Sequence, residues 1–410
     1  GVGKGKGGPP PPPSGEEAAK VRAELEAKKR ERIEKEKREA KEKIERAKVF
    51  EEARLELSGR YHLLAPMDIN DVKWTELKLS LHLVGGKGDK SGGVHLIEFE
   101  NGRAVCLRQQ SKSFPTELVA DRVAAAMGVP VAKHRLVHPK LNQAEFELIE
   151  SEKERVEPGY EEMRPEAIEK RLGQLKQTDP EQYEQAKKFV EMASNKGTWM
   201  VLEFVQGAAL DKSPGLLAAA GEELLRGLGR LCALDLLLNN MDRLPLPLWH
   251  NTGNLSNVML RPAGDVVGID QQVNAPTDSA GLEQYLGRVR GLVAQLFGAA
   301  GAPADVEGSP EAVSKRLHRA LREACGVELS EASLASINEG LRSGLRDAVA
   351  CLDSGALQAS LDDAVATAGC AVKHWYNNTN LAETGQEAAR QAEFVRQIAT
   401  EVAAIVRTCS

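Results

Sequence analysis

The stretch from residue 232 to residue 276 constrains the fold most strongly, because it holds polar side chains between two apolar runs. It reads CALDLLLNNMDRLPLPLWHNTGNLSNVMLRPAGDVVGIDQQVNAP. Asp242 follows the first run, Asn257 follows a Pro-rich segment, and Asp270 ends the second run. Burying carboxylates and carboxamides beside a core is costly unless they are paired or bind an ion. The cluster therefore indicates a functional site.

The composition is that of a globular chain, with 410 residues, 42% hydrophobic and 28% charged. This length suffices for two lobes with appendages. The six Cys form no CxxC pair, so we expect neither a zinc site nor a disulfide framework, and a reduced, cytoplasmic setting. No apolar run approaches the roughly 20 residues of a membrane span, so no membrane insertion is expected. The net charge of -6 argues against nucleic acid as a partner.

The first 58 residues are expected to lie outside the globular core. Residues 1–14 are rich in Gly and Pro and predict a linker. Residues 15–58 are rich in Ala, Glu, Lys and Arg, and they predict a long charged helix. A solitary helix is favoured over a coiled coil, because the apolar positions are too sparse for a heptad seam. The N-terminus has neither Met nor an apolar signal segment, so we expect an internal part of a longer protein.

Residues 59–207 predict an antiparallel β lobe. Alternating apolar residues predict strands at 76–84 and 94–99, joined by a glycine loop that includes Gly86 and Gly88. Further predicted elements are a strand at 104–109, a helix at 115–127, a strand at 129–138 and a strand at 198–205. Residues 142–195 are polar and helical, and they predict a surface insertion between two strands that can pair.

Residues 208–410 predict a mainly helical lobe. Its first long helix, at 221–238, is apolar on nearly every face toward its end and should be buried. The stretch with Asp242 follows, and residues 281–406 are mostly amphipathic helix. The fold class is therefore α+β, with an antiparallel β N-lobe and a helical C-lobe, preceded by the charged helix.

The order of these elements is that of a two-lobed protein kinase. Phosphoryl transfer requires that phosphates are held, metal ions are placed and a hydroxyl is oriented. Asp242 would accept the hydroxyl proton, and Asn257 and Asp270 would bind Mg²⁺ through oxygen atoms. Strand 199–205 would offer backbone groups to the adenine of ATP.

The motifs LNNMDRLPLPLWHNTGNLSNVML and VVGIDQQ give a more specific resemblance. They are similar to the catalytic core of the actin-fragmin kinase family, an atypical protein kinase group, over roughly residues 74–300. The resemblance implies a kinase that transfers the γ-phosphate of ATP to Ser or Thr hydroxyls, with actin or an actin-bound complex as the protein substrate. It implies Asp242 as catalytic base, Asn257 and Asp270 as metal ligands, and a nucleotide hinge in MVLEFV with Glu203, Phe204 and Val205.

The residue that contacts the nucleotide phosphates is left open by the sequence. The third strand reads AVCLRQQSK, with Arg108 at the position where a kinase has Lys and with Lys112 in the turn that follows. Glu117 is the natural partner of either cation, or else a first-turn helix residue. Because Arg does not match the compact ammonium of Lys, a catalytically silent nucleotide-binding or cytoskeletal scaffold is the alternative function.

Overall fold

The protein is described from a computed structural model, which covers residues 26–35, 37–38, 41, 63–83, 94–109, 114–137, 142–156, 199–249, 251–261, 264–298, 310–375 and 381–409. The chain divides into two units, Gly1–Gly59 and Arg60–Ser410. In the first unit, residues 26–35 and 37–38 are helical and exposed, as the charged-helix prediction requires there. The 1–14 linker and the rest of the 15–58 helix lie outside the described residues.

The second unit begins with a six-stranded sheet that forms the N-lobe. Its strand order is β2-β3-β4-β6-β5, with β1 beside β4. All of its pairs are antiparallel except β1 with β4. The strands are β1 (Ala65–Pro66), β2 (Leu77–Leu83), β3 (Val94–Phe99), β4 (Arg103–Gln109), β5 (His134–Val137) and β6 (Trp199–Glu203). The strands expected at 94–99 and 104–109 are confirmed. Those expected at 76–84 and 198–205 are confirmed over Leu77–Leu83 and Trp199–Glu203.

The strand expected at residues 129–138 is shorter, because its first half pairs elsewhere. Only His134–Val137 extends the N-lobe sheet, where it pairs with β6 as expected. Val131 instead forms an isolated bridge with Gly268, and the Gly268 N–H donates to Pro130 O at 3.0 Å. Residues 130–131 therefore connect the N-lobe with the strand of the C-lobe that contains Gly268.

Of the polar, helical insertion predicted at residues 142–195, residues 143–156 are described and are helical as expected. Helix α2 (Gln143–Val156) packs on the N-lobe sheet, with Ile149 and Lys153 fully buried. The Lys153 Nζ lies 2.9 Å from His95 Nδ1 and 5.2 Å from the centre of the Trp199 ring. The Glu-Lys composition concealed only the packing face of this helix, where a few aliphatic positions and one buried Lys cover the sheet. Residues 157–198 lie outside the described residues.

The C-lobe is helical, as predicted, with one small sheet. Its helices are α3 (Pro214–Ala218), α4 (Glu222–Leu238), α5 (Ser279–Phe297), α6 (Pro310–Cys325), α7 (Glu331–Asp353), α8 (Ala356–Trp375) and α9 (Leu381–Thr408). The sheet has the order β7-β8-β9 and comprises β7 (Ala208–Ala209), β8 (Val258–Leu260) and β9 (Val266–Gly268). Helix α4 is buried along its second half, as expected.

Glycines allow α4 and α7 to cross closely. A Cβ at Gly229 would lie 2.1 Å from Ile337 O, and one at Gly340 would lie 2.1 Å from Arg226 O. Both contacts are shorter than real Cβ atoms tolerate. The crossing thus fixes α4, and with it the loop that α4 leads into.

Helix α1 (Phe114–Met127) follows the N-lobe strands but shares the hydrophobic core of the C-lobe helices. The Arg122 Nε donates to Asp363 Oδ2 of α8 at 2.6 Å, and the Cys351 Sγ lies 3.0 Å from Ala126 O. The helix that carries Glu117 is therefore held from the C-lobe side.

Candidate active site

Asn257 and Asp270 meet because they stand at the same end of one β-hairpin. Asn257 directly precedes β8, and Asp270 lies two residues beyond β9. Val258 pairs with Gly268, and the Ile269 N–H donates to Asn257 O at 2.9 Å. The hairpin register therefore brings a carboxamide and a carboxylate to one edge.

Asp242 is placed by the end of α4 and by Asn257. Asn239 ends the helix in a left-handed conformation, with φ of 53°, and the Asp242 N–H donates to Asn240 Oδ1 at 3.2 Å. The Asn257 Nδ2 donates to Asp242 O at 2.7 Å and lies 3.4 Å from Asp242 Oδ2. Asp242 and Asn257 thus form one cluster with Asp270, the third polar residue singled out in the sequence.

The pKa of the Asp242 carboxyl lies above its ordinary value. Partial desolvation is the main cause, and the negative charge of Asp270 adds to it. The hydrogen bond from Asn257 and the charge of Arg243 act in the opposite direction. Asp242 is thus a stronger proton acceptor than a free Asp side chain, although it is exposed to solvent.

Arg108 joins the N-lobe side of the site to Asp270. Its Nη2 donates to Glu117, and its Nη1 donates to Asp270 Oδ1 at 3.0 Å. The side chains of Arg108 and Glu117 are 10% and 8% exposed, whereas Asp270 is 48% exposed. Burial alone would lower the pKa of Arg108, but the two carboxylates outweigh it and raise that pKa. The guanidinium is therefore held in its charged form.

A second ion pair lies beside Asp242, between Arg243 and Asp235. Arg243 and Asp235 are both fully buried, and Arg243 Nη2 lies 3.0 Å from Asp235 Oδ1. Burial raises the pKa of Asp235 to about 6, against the opposing charge of Arg243. A Cβ at Gly268 would lie 1.8 Å from Arg243 Nη1. Gly268 is therefore needed where Arg243 passes under β9, a role that the sequence analysis missed.

The long PLPLW segment between Asp242 and Asn257 folds back onto the C-lobe. The Trp249 Nε1 donates to Asn239 Oδ1 at 2.7 Å, and its ring stacks on Tyr285 of α5 at 6.3 Å. Arg316 of α6 donates to Trp249 O. The segment thus returns the chain to the hairpin that carries Asn257.

A known protein family matches the region of the chain that contains these residues. The sequence profile of a family described as actin-fragmin kinase, catalytic, matches residues 60–275, more than half of the chain. The chain belongs to the actin-fragmin kinase catalytic-domain family. No match was found among curated proteins.

The two-lobed, kinase-like α+β fold predicted from the sequence is confirmed. Membership of the actin-fragmin kinase catalytic-domain family makes the chain a kinase in general terms, with ATP as phosphoryl donor and a protein as substrate. The matched region contains Arg108, Asp242, Asn257 and Asp270. Helices α5 to α9 lie beyond it.

The described residues of the predicted adenine hinge show no hydrogen bond to this cluster. Glu203, Phe204 and Val205 lie at the end of β6, with Phe204 and Val205 buried. The Glu203 carboxylate accepts from the Lys133 N–H at 3.1 Å. Among the described residues, no hydrogen bond links it to Asp242 or Asp270. Gly86, Gly88 and Lys112 lie outside the described residues.

A buried polar group lies one contact away from Gln271. The His134 Nδ1 lies 2.7 Å from Asp121 Oδ2, and the His134 side chain is 3% exposed. Asp121 also accepts from the side chain of Gln271. One sequence signal was available for Asp121. It lies four residues after Glu117, so both carboxylates are expected on one face of the same helix.

The donor atoms fit Mg²⁺ held partly by a nucleotide. Asp270 supplies a half-exposed carboxylate, and Asn257 uses its Nδ2 toward Asp242, which leaves Oδ1 for a cation. Mg²⁺ is commonly bound by one or two protein oxygen ligands plus phosphates and water. Within the described part of the chain, no cluster of three or more His, Cys, Asp or Glu residues could hold a metal ion by itself.

No helix among the described residues has the length and apolar character of a membrane span.

Proposed function

We propose that the chain is an ATP- and Mg²⁺-dependent protein kinase that phosphorylates Ser or Thr hydroxyls. The observation that carries the proposal is the gathering of Asp242, Asn257 and Asp270 at one end of the β8–β9 hairpin. Family membership supports the general reaction, and the site supports the assignment of roles.

Asp242 is the catalytic base of this proposal. Its carboxylate accepts the hydroxyl proton as the new oxygen–phosphorus bond forms and the bond from the γ-phosphate to ADP breaks. A pKa raised by partial desolvation and by Asp270 makes this carboxylate a better proton acceptor. The hydrogen bond from Asn257 to the Asp242 carbonyl oxygen holds the loop in place.

Asn257 and Asp270 are the proposed metal ligands. When bound, Mg²⁺ neutralises charge on the phosphates of the nucleotide. Asp270 has φ of 55°, a left-handed conformation that is rare outside Gly. Such a backbone is typical of functional sites, where the surrounding contacts must hold it.

The nucleotide is proposed to lie between the lobes. Arg108 is the described cation nearest to the metal ligands, and Glu117 fixes one edge of its guanidinium. Backbone groups of Glu203, Phe204 and Val205 are proposed to contact adenine. Gly86, Gly88 and Lys112 are proposed to contact phosphates, from segments outside the described residues.

Actin, phosphorylated on threonine in the cytoplasm, is the acceptor that we propose on the family's name alone. The deciding experiment incubates the chain with labelled ATP, Mg²⁺ and purified actin, beside the Asp242→Ala variant. Transfer to actin in the wild type and its loss in the variant would support the whole proposal. Transfer to another protein but not to actin would retain the chemistry and remove actin. Equal transfer in both proteins would overturn the role of Asp242.

A nucleotide-binding scaffold without phosphoryl transfer is the second candidate. The observation that favours it is the ion pair between Arg108 and Asp270, which occupies a carboxylate oxygen that a metal would need. The scaffold predicts nucleotide binding in a thermal-shift assay with no labelled product on any acceptor. Measurable transfer that Asp242→Ala abolishes would exclude it.

A further inference from the structure

Gln271, the residue after Asp270, makes contacts that reach across the site. Its side chain is buried, with the residue 4% exposed. The Nε2 donates to Asp121 Oδ1 of helix α1 and to Ala132 O, 3.1 Å away, in the segment that leads into β5. A single carboxamide thus binds the Asp270 segment to two other parts of the molecule.

Asp121 and Glu117 are four residues apart on α1 and therefore share one face of that helix. Glu117 reaches Asp270 through Arg108, and Asp121 reaches Gln271 directly. The Val273 N–H adds a backbone hydrogen bond of 3.3 Å to Thr116 O. Helix α1 and the segment after β9 are therefore joined at successive turns of the helix.

Asp121 is itself held in place. Its Oδ2 lies 2.7 Å from His134 Nδ1 while its Oδ1 accepts from Gln271, so both carboxylate oxygens are engaged. The side chains of Asp121 and His134 are 12% and 3% exposed. A buried carboxylate with both oxygens paired has little freedom to turn, so it offers Gln271 a fixed acceptor.

The backbone of Asp270 needs such support. A left-handed conformation at a residue other than Gly is strained and persists only where its surroundings impose it. On one side, the Ile269 N–H donates to Asn257 O. On the other side, the first side-chain contact is that of Gln271. The two contacts bracket Asp270.

We propose that Gln271 is a positioning residue that holds Asp270 in metal-binding geometry and couples it to helix α1. The inference rests on the proposed function, since Asp270 is a metal ligand only within it. Through this contact, the metal ligand and the Arg108–Glu117 pair keep one relative arrangement before nucleotide binds. Gln271 itself touches neither metal nor nucleotide.

The first test uses Gln271→Met, which keeps the length of the side chain and removes its donor. Binding of Mn²⁺, the probe, is measured by electron paramagnetic resonance in the presence of a non-hydrolysable ATP analogue. Loss of a partner that orients a metal ligand weakens metal binding by about 10- to 100-fold, and we expect the lower end of that range. Unchanged Mn²⁺ affinity would overturn the proposal.

Gln391→Met is the matched control. Gln391 is 2% exposed, and its Oε1 accepts from the Ala275 N–H at 2.9 Å. The same substitution there removes a buried hydrogen bond to the same chain segment, five residues from Asp270. We expect a loss of thermal stability with wild-type Mn²⁺ affinity. Equal weakening of Mn²⁺ binding in both variants would mean that general stability, not Gln271, sets the metal affinity.

The second test exchanges donor and acceptor. Gln271→Glu sets a carboxylate against Asp121 and should weaken Mn²⁺ binding more than Gln271→Met does. Adding Asp121→Asn restores a donor–acceptor pair and should recover most of the loss relative to Gln271→Glu. A double variant that binds Mn²⁺ no better than Gln271→Glu would contradict direct coupling between the two side chains.

A third measurement needs neither metal nor phosphoryl transfer, so it separates this inference from the proposed function. Amide hydrogen exchange of the unliganded protein is compared for residues 114–121 and 270–273. In Gln271→Met, we expect exchange to accelerate in both segments together, whereas Gln391→Met leaves 114–121 unchanged. Acceleration confined to 270–273 would refute the coupling to α1, even in a protein that transfers phosphate.

Discussion

The Arg108 guanidinium binds the carboxylates of Asp270 and Glu117 at the same time, with its Nη1 3.0 Å from Asp270 Oδ1. The planar fork of Arg can hold two carboxylates in fixed directions, which a single ammonium cannot do with the same geometry. Arg at this position therefore links the N-lobe strand, helix α1 and the segment after β9. This linkage bears on stability as well as on nucleotide binding.

Arg108→Met should lower the free energy of unfolding by about 3 kcal/mol, because it leaves the Glu117 carboxylate buried without this cation. The double variant Arg108→Met/Glu117→Met should recover most of that loss, since a buried pair replaced by apolar side chains is often neutral. Urea denaturation of Arg108→Met, Glu117→Met and the double variant gives the coupling energy between the two residues. Additive losses would show that the two residues are not coupled.

Asp242→Asn should abolish phosphoryl transfer and raise the melting temperature at neutral pH. The folded protein raises the pKa of Asp242, so it disfavours the ionised carboxylate relative to the unfolded chain. That cost is present above the folded-state pKa and disappears below the unfolded-state value. Thermal denaturation at neutral and acidic pH checks this sign. A variant less stable than wild type at neutral pH would contradict it.

The acid limb of the pH–rate profile should lie above the ordinary pKa of an Asp side chain, 3.8. Asp242 must be ionised to accept the hydroxyl proton, so the rate falls as the pH decreases through its raised pKa. The measurement is kcat at saturating ATP, Mg²⁺ and acceptor over the acidic range. A limb at or below the ordinary value would argue against Asp242 as the base.

Gly229→Ala and Gly227→Ala, two residues apart on α4, should change stability in opposite directions. A Cβ at Gly229 would lie 2.1 Å from Ile337 O, whereas one at Gly227 meets Val266 at an ordinary 3.5 Å. Replacing a helical Gly by Ala without strain stabilises by about 0.5–1 kcal/mol. Replacing one where α7 crosses should cost more than about 2 kcal/mol. Calorimetric melting temperatures distinguish the pair, and similar shifts would contradict the close crossing.

Trp249→Phe should lower stability by about 1–3 kcal/mol and reduce kcat. It keeps an aromatic ring against Tyr285 but leaves the buried Asn239 Oδ1 without the indole donor. Tyr285→Phe is the control, because it removes a hydrogen bond to Leu236 O of α4 and keeps the aromatic ring that stacks on Trp249. Urea denaturation and steady-state kinetics provide both values. Wild-type kcat in Trp249→Phe would show that Trp249 does not position the loop.

Most of the elements could be predicted because their signals are local, whereas the roles of Asp242, Asn257 and Asp270 stay predictions. Alternation of apolar residues marked β2, β3 and β4, and the buried run before Asn239 marked α4. The packing of the helix in residues 143–156 onto the sheet was not predicted, because its charged composition outweighed the few positions that pack. Lys153 is fully buried there, and a buried Lys has no signature in a single sequence.

The sequence by itself determined the fold class and the residue types of the site, because periodicity and chain order are written in consecutive residues. Only the tertiary structure decided which groups meet. Arg108 and Asp270 lie 162 positions apart, and Gln271 and Asp121 lie 150 apart. Their contacts depend on the register of a hairpin and on the docking of α1 against the C-lobe. Such distances are set by packing of whole elements, which no local pattern records.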